Sequence, residues 1–257
     1  MISTLVGVLN LALGLVYAGY GLMTIADLRR NWAKRGLSHF GLAWVAMAFT
    51  CGPHHIEHGL HVLTTVQVGR ALDLAAVLVG LPAAAVWFCL RVEALRGGRG
   101  DRPIHGTPRW VEALPTVGAM YLFALLTAAF AVAGTAATFD VRLIPNLLLV
   151  GLYVAVGAVI ARAQLRNHRL TGGWSLSGIS LAAVFPTCAL MHGTWILYVS
   201  TGQYLIDWHL LVIDMLSVPA AIYFLWVVSS ISSGRIEDWS SGAADARSVP
   251  AEPVAHL

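Results

Sequence analysis

Charge is the first thing this sequence is short of. Of 257 residues, 11% are charged and 58% are hydrophobic, whereas a soluble domain carries about 25% charged residues. That shortage excludes a water-soluble enzyme and a disordered chain. Lysine is nearly absent: Lys34 is the only one, and the remaining basic residues are dispersed arginines. A net charge of +3 spread in this way is not the clustered patch that binds nucleic acid, so no nucleic-acid partner is expected. With its one lysine between apolar runs, the chain cannot form a retinal Schiff base within a span. Three cysteines, Cys51, Cys89 and Cys188, are too few and too scattered for a disulfide framework.

What is abundant is long apolar sequence, with a mean hydropathy of +0.73. A helix needs about 20 apolar residues to cross the hydrocarbon of a bilayer. Seven stretches qualify, near 3–26, 40–63, 72–92, 111–136, 143–163, 174–199 and 205–230. They are continuously apolar, so the alternation of a β-barrel strand is missing. The fold class predicted is all-α, an integral membrane bundle of seven transmembrane helices. Residues 1–231 form that domain. Residues 232–257, polar and rich in Ser, Ala, Gly and Pro, are expected to form a disordered cytoplasmic tail.

Basic residues orient the bundle through the positive-inside rule. Fourteen fall on one side, in the 1–2, 3–4 and 5–6 connections and the tail; only Arg70 and Arg142 fall on the other. The amino terminus is therefore placed outside and the carboxyl terminus in the cytoplasm, as a multi-pass protein of the plasma (inner) membrane. The first span has no basic residue before it and a basic cluster after it, which fits an uncleaved anchor rather than a cleaved signal. No internal repeat supports an inverted-repeat transporter.

Six of the ten histidines sit in the outer half of a span or at its edge: His54, His55, His58, His61, His192 and His209. His39, His105, His168 and His256 fall in linkers or the tail and read as solvated. Asp73, Asp207, Asp214 and Glu57 lie at the same depth as the six. Ionisable groups inside a span are costly, and they usually face the bundle interior or a wet cavity. At about 100° per residue, His54, His58 and His61 occupy an arc of about 60° and form one stripe. Glu57 lies on one flank of it and His55 on the other. Gly52-Pro53, just below the stripe, is expected to kink the helix. In the seventh span His209 points about 140° away from Asp214.

The bland alternatives are specific. His55 can be a hydrogen-bonded structural residue or face the headgroups. Asp73 can pair with Arg70, and Asp214 with Ser217 or Tyr223. Cys188 reads as a small packing residue. Three imidazoles on one stripe are harder to set aside, because hydrocarbon offers nothing to satisfy them.

Imidazole is the commonest protein metal ligand and suits zinc, copper and iron. The proposed ligands are His54, His58 and His61, completed by His192 or His209. Asp73, Asp214 and Glu57 are orienting groups or occasional ligands. Haem b is a further candidate, held by His58 or His54 opposite His192 or His209. A zinc-dependent lipid hydrolase is another, with Asp214 or Glu57 as general base. A membrane sensor without metal is the last.

The stretch from Met191 to Trp226, MHGTWILYVSTGQYLIDWHLLVIDMLSVPAAIYFLW, and the third span, GRALDLAAVLVGLPAAA, resemble the bacterial cytochrome oxidase copper-assembly factors. The resemblance implies seven spans, copper handling on the outside, and a respiratory membrane complex as partner. His192 and His209 take the places of that family's late sixth-span and early seventh-span histidines. Where the family carries paired histidines in the third helix, this chain has Gly69 and Asp73; near a further histidine of the seventh it has Asp214. Its second helix adds the spacing His54-x-x-x-His58. Exchanging imidazole for carboxylate shifts preference from Cu(I) towards zinc or iron. The chain also resembles the membrane ceramidase and receptor-hydrolase group, but lacks that group's closing histidine pair in the last span.

Overall fold

The computed structural model describes residues 1–64, 68–134 and 140–239. Seven long helices follow one another: α1 (Ile2–Arg35), α2 (His39–Thr64), α3 (Ala71–Leu95), α4 (Arg109–Ala133), α5 (Ile144–Thr171), α6 (Leu176–Ser200) and α7 (Trp208–Ser232). Each covers most of one of the seven apolar stretches. Twenty-five residues of helix rise about 37 Å, enough to cross a hydrocarbon core. Six of the helices are long and apolar enough for that. The exception is α2, long enough at 26 residues but diluted by the polar run from His54 to His61. It continues as one helix through Gly52-Pro53.

Two short strands lie outside the sequence expectation. β1 (Pro103–His105), between α3 and α4, pairs antiparallel with β2 (Gly173–Ser175), between α5 and α6. This places both connections at one end of the bundle, as the charge count requires. Asp101 binds the same two connections together: its carboxylate accepts from the Ser175 hydroxyl at 2.7 Å and from the Ser177 amide at 2.8 Å.

The segment after α7 begins at that end too. The Asp238 carboxylate accepts from the Phe40 amide at the start of α2. The Trp239 indole donates to the Arg35 carbonyl at 3.0 Å. The first residues of the expected disordered tail are thus anchored, because they satisfy backbone groups freed at two helix ends. Residues 240–257, with His256, lie outside the described residues.

α6 is the central helix and α4 the peripheral one: 83% of the apolar window of α6 is buried, against 6% for α4. α1 and α2 touch backbone to backbone. A Cβ on Gly14 would lie 2.7 Å from the Gly52 carbonyl oxygen, and one on Gly59 would lie 2.8 Å from that of Gly7. Only glycine permits such an approach, the small-residue packing familiar in membrane bundles. It fixes the rotation of α2, and with it the direction of the histidine stripe. The core below the stripe is aromatic, with Trp44 packed against Tyr20, Trp87 and Phe224.

Candidate metal centre

α2, α5, α6 and α7 converge on one buried polar relay. The His192 imidazole on α6 meets the Asn146 amide oxygen on α5, with Nδ1 to Oδ1 at 2.6 Å. The same amide donates from Nδ2 to Asp214 Oδ2 on α7, again at 2.6 Å. The other Asp214 oxygen, Oδ1, faces His54 Nδ1 on α2 at 2.8 Å. All three ionisable members are 1–2% exposed. Ligand atoms of His54, His192 and Asp214 lie within 4.8 Å of one another, close enough to hold a metal ion.

The relay fixes its own protons. Asn146 must turn its NH₂ to the carboxylate, so its oxygen faces His192 and requires an N–H there. His192 therefore carries its proton on Nδ1, as does His54 against Asp214. Nε2 of each ring keeps a lone pair when the ring is neutral. His55 repeats the pattern. Its Nδ1 lies 2.7 Å from Asn10 Oδ1, and Asn10 is oriented by donating to the Val6 carbonyl at 2.8 Å. His55 Nε2 is buried without a partner. An imidazole anchored through one nitrogen to a carboxylate or amide oxygen is the arrangement metal-ligating histidines adopt.

His58, one turn above His54, is 1% exposed, and neither of its nitrogens has a hydrogen-bond partner. Its ring is 5.8 Å from both Trp195 and Tyr204. Each unsatisfied buried polar group costs about 1–3 kcal/mol, and such groups in a folded protein call for an ion, a water or a function.

The rest of the set stands nearer the end of the bundle. His61 Nε2 lies 3.0 Å from Asp207 and 3.7 Å from Glu57. His209 Nδ1 lies 3.0 Å from Asp207 and 3.8 Å from Glu57. Glu57, His61 and Asp207 form a second group able to hold an ion, partly exposed. Asp207 also has a structural duty there, capping α7 by accepting from the His209 amide at 2.7 Å.

The stripe predicted as one ligand set is therefore divided between levels. His54 joins the buried relay, His58 stands alone, and His61 joins the mouth. The reason is rise: seven helical residues separate His54 and His61 by about 10 Å along the axis. Sharing a face does not bring them to one ion.

Asp73 belongs to neither group. Its carboxylate caps α3 through the Arg70 amide at 3.1 Å and accepts from the Tyr204 hydroxyl and from Thr194. Burial, and then the Asp73 charge, hold the Tyr204 hydroxyl well above the ordinary phenol range, so it remains the donor. Asp214 pairs with neither residue expected from sequence: Ser217 donates to the Ile213 carbonyl, and Tyr223 meets His39 at 2.9 Å.

No protein-family model matches the chain. Neither a curated protein nor a solved structure does.

Two of the other chemistries meet geometric difficulty. The His54 and His192 ring centroids are 4.7 Å apart, which leaves no gap for a flat macrocycle between these two rings. The apolar cavity between α4, α5 and α6, about 390 Å³ and lined by residues such as Val111, Tyr121, Ile179 and Thr187, includes none of the histidines. A lipid bound there would not meet them.

Sequence reasoning did not single out Asn10 and Asn146. Their signal was present, since an amide inside an apolar run needs a partner as much as an imidazole does. Tyr204, in a connection, had no such signal.

Proposed function

We propose that the protein is a seven-span membrane protein that binds a transition metal ion at His54, His192 and Asp214. His58 stands between this centre and the group formed by Glu57, His61 and Asp207. The observation that carries the reading is the relay His192–Asn146–Asp214–His54. It sets ligand atoms of three buried residues within 4.8 Å of one another, close enough for one ion, while the nearby His58 has no hydrogen-bond partner. Copper or zinc suits imidazole ligands; the carboxylate favours zinc or iron. The finer proposal is copper handling on the outer side of a bacterial inner membrane, in service of a respiratory oxidase. It rests on the resemblance of Met191–Trp226 to the copper-assembly factors.

In this reading the chain's residues bind and orient. Asp214 and Asn146 fix the rings, and the α1–α2 glycine contacts hold α2 in register. A bound ion would supply Lewis acidity or a transferable cargo. The test is metal analysis of protein purified in detergent, after loading with copper, zinc or iron and removal of excess. With zinc or iron, one ion per chain is expected at this centre, and His54→Ala with His192→Ala should lose it. Metal at trace level in the loaded wild-type protein, with the relay acting purely as structural glue, would refute the reading.

A further inference from the structure

A second set of ligating atoms lies one helical turn below the relay, and its donors are sulfur. Cys51 precedes His54 by three residues on α2, and Cys188 precedes His192 by four on α6. Both are free and buried, and both line one small cavity. Each sulfur also meets a buried phenol. Cys51 Sγ is 3.2 Å from the Tyr153 hydroxyl and Cys188 Sγ is 3.6 Å from that of Tyr17. The two tyrosines reach the imidazole level as well: the Tyr17 ring lies 5.5 Å from His55, and the Tyr153 ring 5.4 Å from His192.

Beside the thiols is a cavity of about 10 Å³, lined by Cys51, Cys188, Met47, Tyr17 and Trp44 among others. That is close to the volume of a single water-sized sphere. It has room for one small ion and for no organic ligand. Its potential donors are two thiols and a thioether, soft ligands of the kind that bind Cu(I) and fewer than the four that a closed zinc site takes.

We propose that Cys51 and Cys188, with Met47 beside them, form a separate site for a soft monovalent cation, Cu(I) or its analogue Ag(I). Each thiol that coordinates the ion gives up its proton. With one thiolate the site is neutral; with two it carries a single negative charge. The Tyr17 and Tyr153 hydroxyls then donate to the sulfurs and stabilise that charge. The ion enters already monovalent, so neither sulfur is oxidised and no electron acceptor is needed. Along α2 and α6 the donors thus soften with depth, from carboxylate and imidazole near the end of the bundle to sulfur in the middle. This site does not depend on the imidazole centre and can be tested apart from it.

The experiment uses the full chain with exposed Cys89 removed (Cys89→Ala), reduced and kept free of oxygen. Cu(I) is titrated against a chromogenic Cu(I) chelator, and the copper shell is read by X-ray absorption. Expected are one tightly held Cu(I) with sulfur neighbours and a loss of affinity of more than about 100-fold in Cys51→Ala or Cys188→Ala. The sulfur signal should persist in His54→Ala with His192→Ala. A bound copper with only nitrogen and oxygen neighbours would overturn the site, as would no Cu(I) retained against the chelator. Copper lost from the histidine variant while the cysteine variants keep it would overturn it too, and would leave the imidazole centre standing. The absorption spectrum of the Cys89→Ala chain decides the matter even where a cysteine variant fails to fold.

Discussion

Asn146 sets the tautomer of His192. The amide can face Asp214 only with its NH₂, so its oxygen is left to accept from His192 Nδ1, at 2.6 Å. One neutral side chain thereby couples an imidazole on α6 to a carboxylate on α7.

Removing that coupling should be visible in metal affinity. In Asn146→Ala, His192 loses its acceptor and Asp214 loses a donor. Loss of an orienting partner of this kind lowers metal affinity about 10–100-fold. Competition titration of the purified variant measures it; unchanged affinity would mean that the relay does not orient a ligand.

His58 offers a test in which stability and function move in opposite directions. Its two buried nitrogens lack partners, so His58→Leu should stabilise the metal-free protein by about 1–3 kcal/mol. The same variant should take up metal more slowly, because His58 stands between the two groups that could hold an ion. Unfolding of the stripped protein in detergent and a parallel time course of metal uptake read the two effects. A lower stability for His58→Leu would show that the ring is satisfied by something else.

The α1–α2 contact predicts a contrast between two glycines. A Cβ at Gly59 would lie 2.8 Å from the Gly7 carbonyl and 3.0 Å from the Leu11 amide, whereas one at Gly151 meets nothing within 4 Å. Gly59→Ala should cost about 1–3 kcal/mol through overpacking. Gly151→Ala should be neutral or gain up to about 1 kcal/mol from helix propensity. Thermal unfolding of both variants checks the sign of each.

Topology can be read by chemical labelling. Gln203, between α6 and α7, and Arg99, between α3 and α4, are both exposed. On the Cys89→Ala background, Gln203→Cys should react with a membrane-impermeant maleimide in intact cells. Arg99→Cys should react only after the cells are opened. The reverse pattern would invert the orientation drawn from the basic residues.

Much of this architecture was legible in the residues. All seven apolar runs became helices, because in each the hydropathy persists for longer than any turn could interrupt. The axial positions of the histidines along their helices were legible for the same reason, since the ends of the apolar runs give the ends of the helices. What the sequence withheld was lateral. A wheel projection placed His54, His58 and His61 together but could not choose which neighbour each would meet, and it ignored the axial distance between them. Asn10 and Asn146 went unremarked because an amide carries no charge to draw notice. The β1–β2 pair was invisible because three residues are too few for any periodicity to show.

The glycine contacts between α1 and α2 have a mechanical consequence. Two helices pressed main chain against main chain cannot slide or roll without collision, so they form a stiff plate that carries His54, His55 and His58 as fixed fittings. Any breathing that lets an ion reach those rings must then come from the opposite wall, where α7 meets α2 and α5 through the side chains of Asp214, His54 and Asn146.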